Sequence, residues 1–248
     1  MTTKLSNKSI SKAERCTPTD IQEVNPAFFS QLEDVETYEP QVVKETGEWI
    51  VSETDVAYIS EGCGILGTGG GGATYYGKLS TTEVLRSLGE KKVRILAASS
   101  FADTDQIATL AWVGAPAVSN ERLPAGQELD FATLSLVKHL GLSKLDGLMT
   151  GEIGGWNGFC TFGVAARLGI PVIDSDTVGR AVPQAELCLP FVYGKSKPWP
   201  AAISDARDNV QLILSAQSPA KFEGMLRTAS VELGMLFLVV GPGLLSTC

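Results

Sequence analysis

The 248-residue chain carries 20 Lys and Arg against 28 Asp and Glu, a formal charge of −8, with 44% hydrophobic residues and a mean hydropathy of +0.12. This length can bury a sizeable core, as one large domain or two small ones. The acidic balance argues against nucleic acid or an anionic membrane surface as partner, because both are held by clustered Lys and Arg.

Residues 1–48 are polar and mixed in charge and read as a disordered extension, with order expected from Trp49. Ser52 or Thr54 is placed to cap a helix through Ile65, with Val56, Ile59, Cys63 and Leu66 at helical spacing. It runs into Gly67-Thr68-Gly69-Gly70-Gly71-Gly72, then Ala73-Thr74-Tyr75-Tyr76-Gly77. Thr81 or Thr82 is the expected cap of a second helix ending near Leu88. Residues 93–98 read as a buried strand leading to the acidic turn Asp103-Thr104-Asp105. Residues 110–118 are ambiguous between strand and loop, since Gly114 and Pro116 interrupt them. Residues 130–140 form a helical pattern with Phe131, Leu134, Val137 and Leu140 on one face, stopped by Gly141.

A strand–turn–helix–strand unit follows at residues 146–150, 151–158, 159–168 and 170–173, the pattern of a parallel pair with its crossover. Residues 210–214 read as a strand and 218–233 as a helix, before an apolar tail broken by Gly and Pro. The expected fold is α/β: a mostly parallel sheet with flanking helices and glycine-rich loops at one sheet edge, plus a remnant of a second domain. Its boundaries are set at 1–48, 49–209 and 210–248, the last as the truncated start of a C-terminal domain.

Successive glycines let N–H groups converge on an anion, a carbonyl oxygen or a flat heterocycle, although the same run also serves as a flexible connector. No Gly-Lys-Ser/Thr follows, and the run comes after a helix where a dinucleotide fingerprint needs a strand. Glu152, just past a strand, either aims its carboxylate into a cleft or caps the next helix. Asp174 and Asp176 can share a divalent cation, with Arg180 pairing to one of them or holding a carbonyl; a salt-bridged turn is the alternative. Asp103, Asp105 and Glu121 extend the acidic set. Five scattered cysteines without a Cys-x-x-Cys pair suit buried thiols in a reducing compartment, and the one histidine, His139, sits at the end of a helix. With no signal-peptide core, a cytoplasmic location is expected.

Taken in order, these motifs resemble the S-methyl thiohydantoin desulfurase-like family. The likeness lies in the 67–72 glycine run with Tyr75 and Gly77, in Gly114-Ala115-Pro116-Ala117-Val118 with Glu121, and in Glu152-Ile153-Gly154-Gly155 with Asn157. It continues in Pro171-Val172-Ile173-Asp174-Ser175-Asp176, Gly179-Arg180-Ala181, Trp199-Pro200 and the 205–209 turn. The resemblance implies an N-terminal α/β domain followed by a smaller β-rich one, and hydrolytic attack on a (thio)hydantoin ring carbon that replaces sulfur by oxygen. Carried over, Glu152, Asp174, Asp176 and Arg180 form the catalytic set, in which Asp174 and Asp176, with Arg180, either hold a zinc, manganese or magnesium ion or polarise the ring. Thr68, Gly69, Gly70, Gly71, Gly72, Tyr75, Glu121, Gly154, Gly155 and Asn157 line the substrate. The implied partners are a small heterocyclic substrate, a hydantoinase/oxoprolinase-type protein and a second copy of the chain. Two departures are Ala73-Thr74 before Tyr75 and Asp205-Ala206-Arg207-Asp208-Asn209 in place of a glycine-rich turn. The alternative function is an inactive, truncated paralogue that serves as a binding module.

Overall fold

The helix Glu53–Gly67 (α1) begins on a capping box. The Ser52 hydroxyl accepts from the Asp55 N–H at 3.1 Å, and the Asp55 carboxylate accepts from the Ser52 N–H at 2.7 Å, which satisfies two donors a helix start leaves open. It ends at Thr68 in a left-handed conformation, φ 46°, which a β-branched residue adopts only at a cost. The computed structural model describes residues 37–87, 89, 92–114, 124–233 and 236–241. Among them the longer helices are α1, α2 (Thr74–Ser87), α3 (Glu128–Leu140), α4 (Cys160–Leu168) and α5 (Pro219–Leu233).

Nine strands among the described residues form the sheet. They are β1 (Gln41–Val42), β2 (Trp49–Ile50), β3 (Arg94–Ala97), β4 (Ile107–Val113), β5 (Gly147–Thr150), β6 (Val172–Asp174), β7 (Ala201–Ser204), β8 (Val210–Ile213) and β9 (Leu236–Val240). Their spatial order is β1-β2-β3-β6-β5-β4-β9-β7-β8. The centre, β3-β6-β5-β4, is parallel, and the strands on either side are antiparallel. The expected 146–173 unit is present as β5–α4–β6, and α4 and α3 stop at left-handed glycines, Gly169 and Gly141.

Side chains alternate between the two faces of the parallel strands. Ala108, Leu110, Leu148 and Val172 pack on one face with Leu136 of α3 and Phe162 of α4. Ile107, Met149 and Ile173 pack on the other with Cys188 and Phe191. A sheet covered on both faces needs strands without a polar face, and residues 147–150 are accordingly buried throughout. A third cluster of Ile203, Ile213, Phe222 and Leu226 fastens α5 to β7 and β8.

The structure departs from the sequence expectations at three places. The sheet starts before Trp49, because Gln41 and Val42 pair with Ile50 and Trp49. Helix α2 starts at Thr74, and Thr81 is buried inside it and does not cap it. The boundary expected after residue 209 falls in the β7–β8 hairpin, where Asp205 N–H donates to the Asn209 carbonyl, and β9 runs between β4 and β7. Residues 1–36 of the expected extension lie outside the described residues. No helix among the described residues is long and apolar enough to cross a membrane.

Candidate functional site

In a parallel sheet the space beyond the carboxyl ends of the strands is open to a ligand. Here a cavity of about 490 Å³ lies there, lined by the ends of β4 and β5, by the 67–72 loop, by the segment after β6 and by α5.

Glu152, two residues beyond β5, is buried at 7% exposure and lines this cavity. Asn157 Nδ2 donates to its Oε1 at 2.5 Å, and the Val182 N–H donates to its Oε2 at 2.5 Å. Asn157 is itself fixed, since its Oδ1 accepts from the Trp112 N–H at 2.6 Å. Burial pushes the Glu152 carboxyl above the ordinary glutamate range; the Val182 N–H, the Asn157 amide and Arg180 oppose this, and Asp176 adds to it. The result is a buried acid with a raised proton affinity facing a cavity.

The glycines beside it have a packing role. The Trp156 and Asn157 N–H groups donate to the Gly72 and Gly71 carbonyls at 3.1 and 3.2 Å, so the 67–72 loop lies against the 154–157 loop. A Cβ on Gly71 would fall 1.9 Å from the Gly154 oxygen, and one on Gly155 would fall 2.5 Å from the Gly70 oxygen. Both residues have positive φ, 73° and 65°, so steric and conformational demands coincide. The glycine run is thus neither a flexible connector nor a bare cradle: two loops meet backbone to backbone and carry Glu152 and Asn157 between them.

Of the residues expected from sequence, Thr68, Gly70, Gly71, Gly72, Glu152 and Asn157 line the cavity. Gly69, Gly154, Gly155, Tyr75, Asp174, Asp176 and Arg180 are not among its described lining residues, and Glu121 falls in 115–123, outside the described residues. Tyr75 is 58% exposed. Asp176 accepts from the Ile153 N–H at 2.8 Å and from the Val178 and Gly179 N–H groups at 3.2 and 2.7 Å, so it ties the β5 loop to the β6 loop. Asp174 is exposed at the end of β6, and Arg180, also exposed, donates to the Ala181 carbonyl. With Asp176 taken up by three backbone donors, the Asp174/Asp176 pair does not fit a zinc, manganese or magnesium ion in this arrangement. No group of three potential metal-ligating side chains occurs among the described residues.

Sequence reasoning missed several lining residues. Trp112, at the end of β4, stacks on Trp156 with ring centroids 4.0 Å apart, and both line the cavity. Thr109 lines it too, with a buried hydroxyl that has no hydrogen-bond partner. Phe222, Glu223 and Arg227 come from α5. An aromatic residue closing an apolar run was the available signal for Trp112; nothing local marked α5. The three described cysteines are buried. Burial pushes the Cys63 and Cys188 thiols up to about 11 and Cys160 to about 12, and Cys160 Sγ donates to the Leu110 carbonyl at 3.2 Å. None is poised as a thiolate nucleophile.

The sequence pattern described as S-Me-THD-like, N-terminal domain, matches residues 54–215. The chain belongs to this family. The matched S-Me-THD-like segment holds Glu152, Asn157, both glycine loops and Trp112, whereas α5 lies beyond it. A crystal structure of a protein from Chromobacterium violaceum superposes with a TM-score of 0.65 at 22% identity, over 80% of this chain and 56% of its own. The chain therefore spans little more than half the length of that structure, and the likeness establishes the fold alone. No curated protein matches the chain.

Proposed function

We propose that the cavity binds a flat five-membered heterocycle of hydantoin or thiohydantoin type, and that Glu152 activates the water that attacks a ring carbon. The observation that carries this is the buried Glu152 carboxyl, raised in proton affinity by burial, at a cavity of about 490 Å³. The stacked Trp112 and Trp156 supply an apolar wall suited to a planar ring, and membership of the S-Me-THD-like family supplies the ring class. A carboxylate with raised pKa is a stronger base than an ordinary one and returns the proton as a competent acid. Glu152 takes a proton from water as its oxygen adds to the ring carbon bearing sulfur. The C–S bond then breaks, the water oxygen becomes the ring carbonyl, and the two water protons end on the ring nitrogen and the departing thiol.

A second reading has its own support. Both Glu152 oxygens already accept from protein donors, as a purely bracing carboxylate would, and the chain then binds a heterocycle without turnover beside a hydantoinase/oxoprolinase-type partner. Thiol release from an S-methyl thiohydantoin, followed with a thiol-reactive chromophore, separates the two. Release by the wild type that disappears in Glu152→Gln supports catalysis; release at an unchanged rate overturns it. Binding without release favours the second reading.

A further inference from the structure

The cavity has a second charged end. On α5, Glu223 is buried, with Oε2 accepting from the Ala185 N–H at 2.9 Å and Oε1 accepting from Arg227 Nε at 2.6 Å. Arg227 Nη2 donates to the Pro183 carbonyl at 2.6 Å. The guanidinium is thus held from two sides, while its side chain stays 47% exposed. Among the described lining residues it is the only cationic side chain, set against Glu152 and Glu223.

We infer that Arg227 anchors a carboxylate carried on a substituent of the bound ring, so that the cavity selects an anionic, carboxylate-bearing heterocycle over a neutral one. This rests on the heterocycle reading above. The bonds to Glu223 and Pro183 use Nε and Nη2, which pre-orients the guanidinium and leaves Nη1 to donate a charge-assisted hydrogen bond to a carboxylate. Arg227 is already paired with Glu223, so a carboxylate monoanion meets less like charge from Glu152 and Glu223 than a phosphate dianion would. Partial exposure of Arg227 keeps the incoming carboxylate partly hydrated, which limits its desolvation cost. Glu152 lies inside the matched family segment, residues 54–215, and Arg227 beyond it, so the element that holds Arg227 is separate from the one that holds the acid.

The test compares hydantoin with hydantoin-5-acetate as probes, read by quenching of tryptophan fluorescence, for wild type, Arg227→Lys and the double variant Glu223→Gln/Arg227→Gln. The double variant leaves no buried carboxylate without its cation, so it guards against a simple folding failure. The wild type is expected to bind the acetate at least tenfold more tightly than hydantoin. That ratio falls several-fold in Arg227→Lys, which keeps charge but loses the pre-oriented guanidinium, and at least tenfold in the double variant. Equal binding of the two probes by the wild type, or a ratio unmoved in the variants, overturns the role of Arg227 and leaves the heterocycle reading standing. Binding of neither probe by the wild type overturns the heterocycle reading and this inference with it.

Discussion

Asn157 turns its amide nitrogen to Glu152 Oε1 at 2.5 Å and its amide oxygen to the Trp112 N–H at 2.6 Å. The second contact fixes the orientation of the amide, so Glu152 faces an NH₂ group on one oxygen and the Val182 N–H on the other. Every partner of this carboxylate is a donor.

A Glu152→Gln substitution is consequently not silent for stability. Its own NH₂ must oppose either Asn157 or Val182, which costs about 1–3 kcal/mol for an unmatched buried donor. The double variant Glu152→Gln/Asn157→Asp reverses donor and acceptor and is expected to recover most of that loss in urea denaturation. It stays inactive in thiol release if Glu152 is the base. A double variant no more stable than Glu152→Gln would mean that the pair contributes little to the fold.

The raised proton affinity of Glu152 has a sign in pH. The folded state holds this proton to higher pH than the unfolded state does, so stability from this group is full below the ordinary glutamate range. It declines as pH rises through the folded value. Relative to Glu152→Gln, the wild type should therefore lose stability on going from about pH 4 towards neutrality. A parallel pair of melting-temperature profiles would show that the carboxyl titrates normally.

The glycines divide by what stands beside them. Gly71→Ala and Gly155→Ala drive a methyl into backbone and should cost about 3 kcal/mol or more, or prevent folding. Gly69 also has positive φ, 91°, but nothing lies within 4 Å of its missing Cβ. Its alanine variant should lose only about 1–2 kcal/mol, the backbone penalty. Similar losses at all three positions in chemical denaturation would refute loop-on-loop packing as their role.

Thr109 carries a buried hydroxyl without a partner. Thr109→Val removes it with little change of shape and should leave stability unchanged or raise it by up to about 1 kcal/mol, whereas Thr109→Ser should lower it through the lost methyl. A thermal melt decides this; a valine variant clearly less stable than wild type would place a bridging water on the hydroxyl.

The sequence made some of this legible. The β5–α4–β6 unit could be read because its apolar run and closing Gly169 are local signals, and Glu152 could be placed because it follows that run directly. Asp176 could not be resolved, since a carboxylate that binds three backbone N–H groups has the same sequence signature as one that binds a cation. Gly114 and Pro116 obscured the extent of β4 and with it the position of Trp112. Phe222, Glu223 and Arg227 were invisible as site residues because α5 reaches the cavity only through the packing of the completed sheet, and no pattern of spacing encodes such a contact.

Strand β9 bonds to β4 through residues 109–113 and to β7 through residues 201–204. Both partners are synthesised before it. While the chain emerges from the ribosome, two rows of unpaired amides and carbonyls, one beside the future cavity, wait for β9. Such open edges invite pairing with other chains, so the nascent protein is most exposed to misassembly just before residue 236 emerges, and the β4 edge beside the cavity is covered at the same step that joins β4 to β7.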